Sequence, residues 1–271
     1  MTRTLIFDCD GVLADTERDG HLVAFNRMWQ ERGVNWQWTL EQYAEKVKIG
    51  GGKERMASLG RDDDFRAVYD VPDSAEAWWD TVAGWHKRKS EIYKELIASG
   101  ALPGRPGVRR LAEEAWAAGW QLAVCSTSSL SSVQAVLDHV MGAATAAKFA
   151  GVFAGDMAKA KKPDPAIYLL AQEKLGLDPA ECVVVEDSRN GLLAATAARM
   201  TCLITVNPLT RGEDFSEAAL VVSSLGEPDG EQTIVLHNRT PARPGRYVTV
   251  NDLEQLLAAG AGKTSPAQQR A

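Results

Sequence analysis

Short runs of consecutive apolar residues, separated by segments with helical periodicity, constrain most strongly how this chain can fold. Five runs are rich in β-branched residues and a weaker sixth follows them: 4–7, 121–125, 151–153, 182–185, 202–206 and 220–222. Continuous apolarity predicts strands that are buried on both faces, as in a parallel sheet. The segments that precede the second, third and fourth runs repeat apolar residues at i, i+3, i+4 and i+7, which is typical of helices. This alternation predicts an α/β fold, a doubly wound parallel sheet with right-handed crossovers.

Residues 16–102 differ from the rest, because they contain no convincing strand. Leu22, Phe25 and Trp29 mark one amphipathic helix, and a longer helix is predicted to begin near Asp73, with Trp78, Trp79 and Trp85 in the interior of the segment. We therefore expect a catalytic core at 1–15 and 103–226 and an all-helical cap at 16–102. Residues 227–271 are expected to form a C-terminal extension with one short helix at 251–258 and disordered final residues.

Charge and hydropathy exclude several classes of protein. The net charge is −6 and no long Lys/Arg-rich block offsets it, which argues against a nucleic-acid partner. No stretch approaches the ~20 apolar residues of a membrane span. Because the chain begins directly with a strand, we expect no leader sequence and a cytoplasmic protein with reduced cysteines. We also expect a monomer.

Two carboxylates leave the end of the first predicted strand, at Asp8 and Asp10, and Gly11 permits a sharp turn directly after them. Ligands bind at the carboxyl ends of strands in open α/β sheets. Two acids at that position repel each other unless a cation lies between them, so the pair predicts a divalent metal. Alternatively, Asp-x-Asp-Gly is only a turn, since Asp and Gly are common in turns.

Three further strand ends carry complementary chemistry. Ser126, Thr127 and Ser128 offer hydroxyl and backbone N–H groups at the start of a helix, which suits an anionic phosphate. A basic loop containing Lys162 precedes another helix. Glu186 and Asp187 form a second acid pair after a buried strand. Together these groups predict a hard metal ion, a phosphate cradle and a cation at one edge of the sheet.

These four ordered motifs resemble those of the haloacid dehalogenase-like superfamily, whose members have a Rossmann-like core. The helical insert resembles the type 1 cap of that superfamily. Within it, the segments at 49–56, 125–128, 161–165 and 185–191 are similar to those of the CbbY-like sugar-phosphate phosphatases. Some members of this group remove the 1-phosphate of xylulose 1,5-bisphosphate, a by-product that inhibits the carboxylase of the Calvin cycle.

The resemblance implies a role for each core motif. Asp8 would be the nucleophile that forms an aspartyl phosphate, and Asp10 the general acid and base. Mg²⁺ would be held by the Asp8 carboxylate, the Asp10 carbonyl and Asp187, with Glu186 either behind these ligands or bound directly. Ser126, with the N–H of Thr127 and with Ser128, would bind the phosphoryl oxygens, and Lys162 would neutralise their charge.

The same resemblance, together with residue chemistry, suggests substrate-binding residues in the helical segment. The glycines can bring backbone N–H groups close to a phosphate and cations follow them, although a flexible connection with solvated charges would look the same. Glu17 either accepts hydrogen bonds from sugar hydroxyls or is an ordinary acid of a first helical turn. His86 and Lys87 either face a distal phosphate or belong to a solvated face. The complete set is Glu17, Gly50, Gly51, Gly52, Lys53, Glu54, Arg55, His86 and Lys87.

The activity expected from these residues is a Mg²⁺-dependent phosphatase of a small sugar bisphosphate. A phosphomutase of the β-phosphoglucomutase type shares every core motif and differs mainly in the cap. A haloacid dehalogenase is disfavoured, because that activity has no use for the second acid Asp10. A non-catalytic sugar-phosphate-binding protein would usually have lost one of the motif residues, and here all of them are present.

Overall fold

The computed structural model describes residues 2–49 and 51–261. The chain divides into two compact units, one formed by Met1–Asp15 with Pro103–Ala271 and the other by Thr16–Leu102. Gly50 and the final residues 262–271, for which disorder was expected, lie outside the described residues. Within the described part, no helix is both long and apolar enough to cross a membrane.

The larger unit contains a seven-stranded sheet within the described residues. Its strands are β1 (Thr4–Phe7), β2 (Gln121–Cys125), β3 (Phe149–Phe153), β4 (Cys182–Glu186), β5 (Thr201–Thr205), β6 (Leu220–Val222) and β7 (Val235–Asn238). The order is β3-β2-β1-β4-β5-β6-β7, and only the β6–β7 pairing is antiparallel. The predicted α/β fold with a parallel sheet of the haloacid dehalogenase-like type is confirmed. All of the residues of β1, β4 and β6 are buried, as their continuous apolarity indicated.

Two features of the sheet differ from the prediction. The third strand begins at Phe149 rather than at residue 151, and its first four residues are only partly buried or exposed. Strand β7 was not predicted, because it is an edge strand in which Val235 and Leu236 are 42% and 50% exposed. Its short, exposed run lies among Pro- and Gly-containing segments and lacks the continuous burial pattern of the other strands.

Helices α1 to α5 belong to the smaller unit and α6 to α11 to the larger one. They are α1 (Val23–Glu31), α2 (Leu40–Val47), α3 (Gly52–Ala57), α4 (Asp63–Arg66), α5 (Ala75–Ala98), α6 (Val108–Ala117), α7 (Leu130–Met141), α8 (Ala143–Ala146), α9 (Ala166–Leu175), α10 (Arg189–Ala197) and α11 (Val250–Ala261). A π-helical segment, Thr16–Leu22, leads into α1. Helix α5 begins at Ala75, two residues after the expected start near Asp73, because the Ser74 side chain accepts a hydrogen bond from Ala77 N and caps the helix.

An aromatic cluster forms the interior of the helical unit. Trp29, Trp38, Trp78 and Trp85 are buried, and Phe25 packs against Trp29 and Trp38 with ring centroids 5.9 and 5.1 Å apart. Trp79 was expected in this interior but is 47% exposed. It follows Trp78 directly in α5, so the helical rotation of about 100° per residue turns it away from the buried face.

The strand register determines which residues meet at the carboxyl edge of the sheet. Phe7 is paired with Val124 on one side and with Val185 on the other. The strand order reverses between β1 and β4, because β2 and β3 lie on one side of β1 and β4 to β6 on the other. Open α/β sheets bind ligands in the crevice that forms at the carboxyl edge where the strand order reverses. Residues that directly follow β1, β2 and β4 therefore form the candidate site.

Candidate active site

Lys162 is the centre of the candidate site in the larger unit. Its Nζ donates hydrogen bonds to Asp8 Oδ1 at 2.6 Å, to Glu186 Oε1 at 2.6 Å and to the Cys125 carbonyl at 2.8 Å. The side chain is 7% exposed. Burial opposes the charge of this ammonium group, but the two carboxylates outweigh it and raise the pKa of Lys162. Lys162 is thus a buried, permanent cation that joins the ends of β1, β2 and β4.

Asp8 lies directly after β1, and its backbone N–H donates to the Val185 carbonyl at 2.9 Å. Burial raises the pKa of Asp8 to about 7, the negative charges of Glu186 and Asp10 act in the same direction, and Lys162 opposes them. The carboxylate is therefore destabilised by its surroundings unless further positive charge is supplied. A buried carboxylate with a raised pKa, in a ligand-binding crevice, is a candidate for a reactive group.

Both carboxylate oxygens of Glu186 accept hydrogen bonds from the protein. Oε1 accepts from Lys162 and from the buried Tyr168 hydroxyl at 2.8 Å, and Oε2 accepts from Asp187 N at 3.2 Å. A Cβ at Gly191 would lie 1.9 Å from the Glu186 carboxyl carbon, so position 191 in the first turn of α10 has room only for glycine. Glu186 is consequently fixed in position by its neighbours on three sides.

Asp187 is 8% exposed and lies next to Glu186 at the end of β4. Burial raises its pKa well above the usual range, Glu186 and Asp8 raise it further, and Arg105 and Asn207 oppose the shift. Its Oδ2 accepts a hydrogen bond of 2.6 Å from Asn207 Nδ2. Sequence reasoning missed Asn207, although its place directly after the β5 run, at the same edge of the sheet, was a signal for it.

Asp10 lies beside the predicted phosphate cradle. Its Oδ2 accepts a hydrogen bond from the Ser128 hydroxyl and another from the Ser126 hydroxyl at 3.4 Å. Ser126 is buried and its hydroxyl also accepts from Ser128 N at 3.1 Å. Thr127 lies between these two serines and is partly buried. Residues 126–128 and Asp10 therefore occupy one place at the carboxyl edge of the sheet.

Arg105 is a second residue that sequence reasoning missed, because an arginine between a glycine and a proline carries no local sign of a site. Its guanidinium donates to the carbonyls of Gly11, Thr205, Val206 and Ser223, with distances of 3.0, 2.6 and 3.2 Å for the last three. These carbonyls belong to the loop after β1 and to the ends of β5 and β6. Arg105 thus ties together the chain segments that carry the site.

Asp8, Glu186 and Asp187 could hold a divalent cation. Each offers a carboxylate oxygen, and these three oxygens lie within 4.8 Å of one another. Hard cations such as Mg²⁺ prefer oxygen ligands of this kind. Since burial and mutual repulsion raise the pKa values of Asp8 and Asp187, additional positive charge would stabilise both carboxylates. The residues therefore fit the expected magnesium ion.

Two predicted site residues, Glu17 and Arg55, form a hydrogen-bonded group with Tyr43 in the helical unit. Arg55 Nη1 donates to Glu17 Oε2 at 3.2 Å and to the Tyr43 hydroxyl at 2.9 Å, and Tyr43 donates to Glu17. Burial lowers the pKa of Arg55, but Glu17 and Tyr43 together outweigh burial and raise it. Glu17 is therefore held by a cation and a phenol, and its contact with sugar hydroxyls stays a prediction.

The glycine segment lies next to His86. A Cβ at Gly52 would lie 2.9 Å from His86 Nε2, and Gly51 has a φ of +97°, which favours glycine. Lys53 and Glu54 are exposed in the first turn of α3. The structure does not bring Lys87 to this group, because its side chain is exposed on another face of α5.

A further cation, Lys89, was not among the predicted residues. It is 5% exposed, its Nζ lies 2.8 Å from His21 Nδ1, and it lies 4.6 Å from the centroid of the Phe25 ring. His21 packs on Tyr93 with ring centroids 4.1 Å apart. Sequence reasoning selected His86 and Lys87 from the basic run 86–89. It missed Lys89, because a run of like charges does not show which lysine is buried.

Comparison with known families gives a match that covers most of the chain. The family model described as haloacid dehalogenase-like hydrolase matches residues 2–199, and this range contains β1 to β4 and every predicted site residue. The chain belongs to the haloacid dehalogenase-like hydrolase family. Asn207, by contrast, lies beyond the matched residues.

Individual relatives place the chain within this family. A CBBY-like protein of Arabidopsis thaliana is 46% identical, over 86% of this chain and 72% of the relative. The crystal structure of a CbbY mutant from Rhodobacter sphaeroides in complex with xylulose-(1,5)bisphosphate is 38% identical, with a TM-score of 0.68, and the match covers 83% of this chain and 95% of that one. The predicted resemblance to the CbbY-like group is confirmed.

A more distant structure bears on the alternative activity. A putative β-phosphoglucomutase from Thermotoga maritima is 28% identical, with a TM-score of 0.62 over 82% of this chain and 94% of that one. It is less similar than the Rhodobacter sphaeroides protein in both sequence and structure.

The hydrolase family and the CbbY relatives identify the chain as an enzyme, a phosphatase.

Proposed function

We propose that the chain is a Mg²⁺-dependent phosphatase that releases the 1-phosphate of xylulose 1,5-bisphosphate through an aspartyl-phosphate intermediate. The observation that carries this proposal is the contact of Lys162 with both Asp8 and Glu186, next to Asp187 and Ser126 at the point where the strand order reverses. The related CbbY complex with xylulose-(1,5)bisphosphate supports this choice of substrate.

In the proposed reaction, Asp8 attacks phosphorus and the bond from phosphorus to the sugar oxygen breaks. The leaving oxygen takes a proton from Asp10, whose position is fixed by the Ser126 and Ser128 hydroxyls. Asp10 then removes a proton from water, which attacks the aspartyl phosphate and regenerates Asp8. Hydrolysis is thus divided into two easier steps.

The remaining core residues stabilise charge during these steps. Lys162 remains protonated and lies 2.6 Å from the Asp8 carboxylate, so it can neutralise negative charge on Asp8 and on the transferring phosphoryl group. Ser126, with the N–H of Thr127 and with Ser128, would bind the phosphoryl oxygens. Mg²⁺ held by Asp8, the Asp10 carbonyl and Asp187 would supply further positive charge. Glu186 would support Lys162, which it contacts at 2.6 Å, and could also offer an oxygen to the ion.

We assign recognition of the rest of the substrate to the helical unit. Arg55 and Lys53 supply positive charge, and Glu17 can accept hydrogen bonds from sugar hydroxyls. Gly51, Gly52, Glu54 and His86 are included with them because they surround the start of α3. Gly50 and Lys87 remain proposals from the sequence.

The test is a screen for phosphate release with and without Mg²⁺ across sugar mono- and bisphosphates, including xylulose 1,5-bisphosphate and ribulose 1,5-bisphosphate. We expect stoichiometric, Mg²⁺-dependent phosphate release, fastest with xylulose 1,5-bisphosphate and absent in Asp8→Asn. Transfer of phosphate from one position of the sugar to another, detected by ³¹P NMR, would identify a mutase instead. Binding of sugar phosphates without turnover of any of them would indicate a non-catalytic binding protein.

A further inference from the structure

We propose that Asn207 is a positioning residue that orients the Asp187 carboxylate and thereby sets the affinity of the site for Mg²⁺. The inference rests on the magnesium site of the proposed function but not on the identity of the sugar phosphate. Asn207 follows β5, is 8% exposed and donates from Nδ2 to Asp187 Oδ2 at 2.6 Å. It lies outside the residues that the family model matches.

The local backbone determines which end of the Asn207 amide faces Asp187. Asn207 Oδ1 accepts hydrogen bonds from the backbone N–H groups of Leu209 at 2.8 Å and Thr210 at 3.2 Å. Thr210 Oγ1 in turn accepts from Asn207 N at 3.2 Å. Because the oxygen is occupied by two donors of its own turn, the NH₂ group must point towards the carboxylate.

The Asp187–Asn207 pair is also confined by the backbone after β1. Gly11 has a φ of +79°, and a Cβ at this position would lie 2.1 Å from Asp187 Oδ2 and 2.9 Å from Asn207 Nδ2. The pair therefore packs against the Gly11 α-carbon, where any other residue would displace it. This close approach leaves one orientation for the Asp187 oxygen that is bonded to Asn207.

Arg105 holds the two backbone segments that confine the pair. It donates to the Gly11 carbonyl on one side and to the Val206 carbonyl, directly before Asn207, on the other. The positions of Gly11 and Asn207 relative to each other are thus fixed by one guanidinium group. A rigid support of this kind suits a side chain whose function is to hold a neighbouring carboxylate still.

An oriented Asp187 should bind a cation with little loss of side-chain freedom. With Oδ2 held by Asn207, the second oxygen has a defined direction before the ion arrives. Without the amide, the ion must itself order the carboxylate, and part of the binding energy is lost. Outer partners of metal ligands typically contribute about 10- to 100-fold to metal affinity.

The experiment compares Asn207→Leu, a near-isosteric variant without the amide, with Thr210→Val, which disturbs the same turn but contacts neither carboxylate oxygen. Calorimetric titration of the metal-free proteins with MgCl₂ alone gives the dissociation constant for Mg²⁺. Steady-state kinetics give the activation constant for Mg²⁺ and kcat. Thermal unfolding in EDTA measures the structural effect of each substitution.

For Asn207→Leu we expect Mg²⁺ affinity to fall by about 10- to 100-fold. We also expect kcat at saturating Mg²⁺ to remain within about threefold of the parent, because the effect is on metal binding. Thr210→Val should keep the parent affinity. Equal losses of affinity in both variants would assign the effect to the turn and overturn the proposal, as would an unchanged affinity in Asn207→Leu.

Asn207→Ser provides a second test if the leucine variant does not fold. Serine can still accept a hydrogen bond from the backbone of its own turn, but it is too short to reach Asp187. The same loss of Mg²⁺ affinity is expected, and parent-like affinity would contradict the proposal. If the parent binds Mg²⁺ but releases no phosphate from the sugar panel, the substrate is wrong and the positioning role stands. If the parent binds no Mg²⁺, the positioning role fails.

Discussion

Lys162 Nζ donates a 2.6 Å hydrogen bond to Asp8 Oδ1, and both side chains are at least nine-tenths buried. Each member of this pair would be strongly destabilised alone, because a charge in a buried position needs a partner. The pair therefore links stability to the proposed reaction, since the cation that favours the ionised form of Asp8 is also the one proposed to neutralise the phosphoryl group.

Replacing Lys162 by methionine should lower both activity and stability. The substitution leaves Asp8 and Glu186 buried without their shared cation, and breaking such a pair costs about 3–5 kcal/mol. Chemical denaturation in EDTA would measure the loss in the free energy of unfolding. Lys161→Met is the matched control, because Lys161 is exposed next to it in the chain and its replacement should change the free energy by less than about 0.5 kcal/mol. Equal stability of the two variants would contradict the buried pair.

The proposed nucleophile can be tested by trapping the covalent intermediate. Asp8→Asn should lower turnover by on the order of 10⁴- to 10⁶-fold, the range found when single residues of a catalytic triad are removed. It should also abolish incorporation of ³²P into protein from a labelled substrate. Asp15→Asn is a control for loss of an aspartate close by in the chain, and it should retain labelling. Labelling of Asp8→Asn at the parent level would exclude Asp8 as the nucleophile.

The position of His86 predicts a pH dependence of stability. Burial, together with Lys89 and Lys53, lowers the pKa of His86, and Glu54 only partly opposes this. The unfolded chain therefore binds a proton at His86 more readily than the folded protein does. His86 contributes stability above its unfolded pKa of about 6.5, and this stability is lost as the pH falls through the lower folded pKa.

Urea unfolding between pH 7.5 and 5, monitored by tryptophan fluorescence, would measure this effect. The free energy of unfolding should fall more steeply with decreasing pH in the parent than in His86→Gln. His139→Gln, at an exposed position on α7, should keep the parent profile. Identical pH profiles for the parent and His86→Gln would show that His86 does not contribute.

The sequence was sufficient for the parts of the molecule in which local pattern and burial agree. Strands β1, β2 and β6 lie where the apolar runs predicted them, because these strands are covered on both faces. Asp8, Ser126, Lys162 and Glu186 meet because parallel strands bring their carboxyl ends to one edge. The order of the strands brings these separate motifs together in one site.

The remaining features depend on contacts between distant residues. Arg105 binds carbonyls about 94 to 118 positions away, and an arginine in a Pro/Gly segment carries no local sign of this. The hydrogen bond from Asn207 to Asp187 likewise needs the register of β4 against β5. Strand β7 is exposed, so the burial pattern that revealed the other strands is missing from it.

The role of Asp10 can be tested separately from that of Asp8 by comparing a leaving group that needs a proton with one that does not. Asp10→Asn keeps the size of the side chain and an oxygen for the Ser128 hydroxyl, but it cannot donate or remove the catalytic proton. A sugar alkoxide needs that proton in order to leave, so phosphoryl transfer from the sugar bisphosphate should slow by about 10²- to 10⁴-fold. p-Nitrophenolate leaves without protonation, so transfer from p-nitrophenyl phosphate should slow far less.

In the proposed second step, attack of water on the aspartyl phosphate, Asp10 is still required as the base. Rapid-quench measurements of Asp10→Asn should therefore show a burst of about one equivalent of p-nitrophenol per active site, followed by slow turnover. Ser128→Ala, which removes a hydroxyl bonded to Asp10 but leaves the carboxylate, should show a smaller loss of rate and no burst. Equal slowing with both substrates and no burst would mean that another residue protonates the leaving oxygen, and Asp10 would then only bind the two serines.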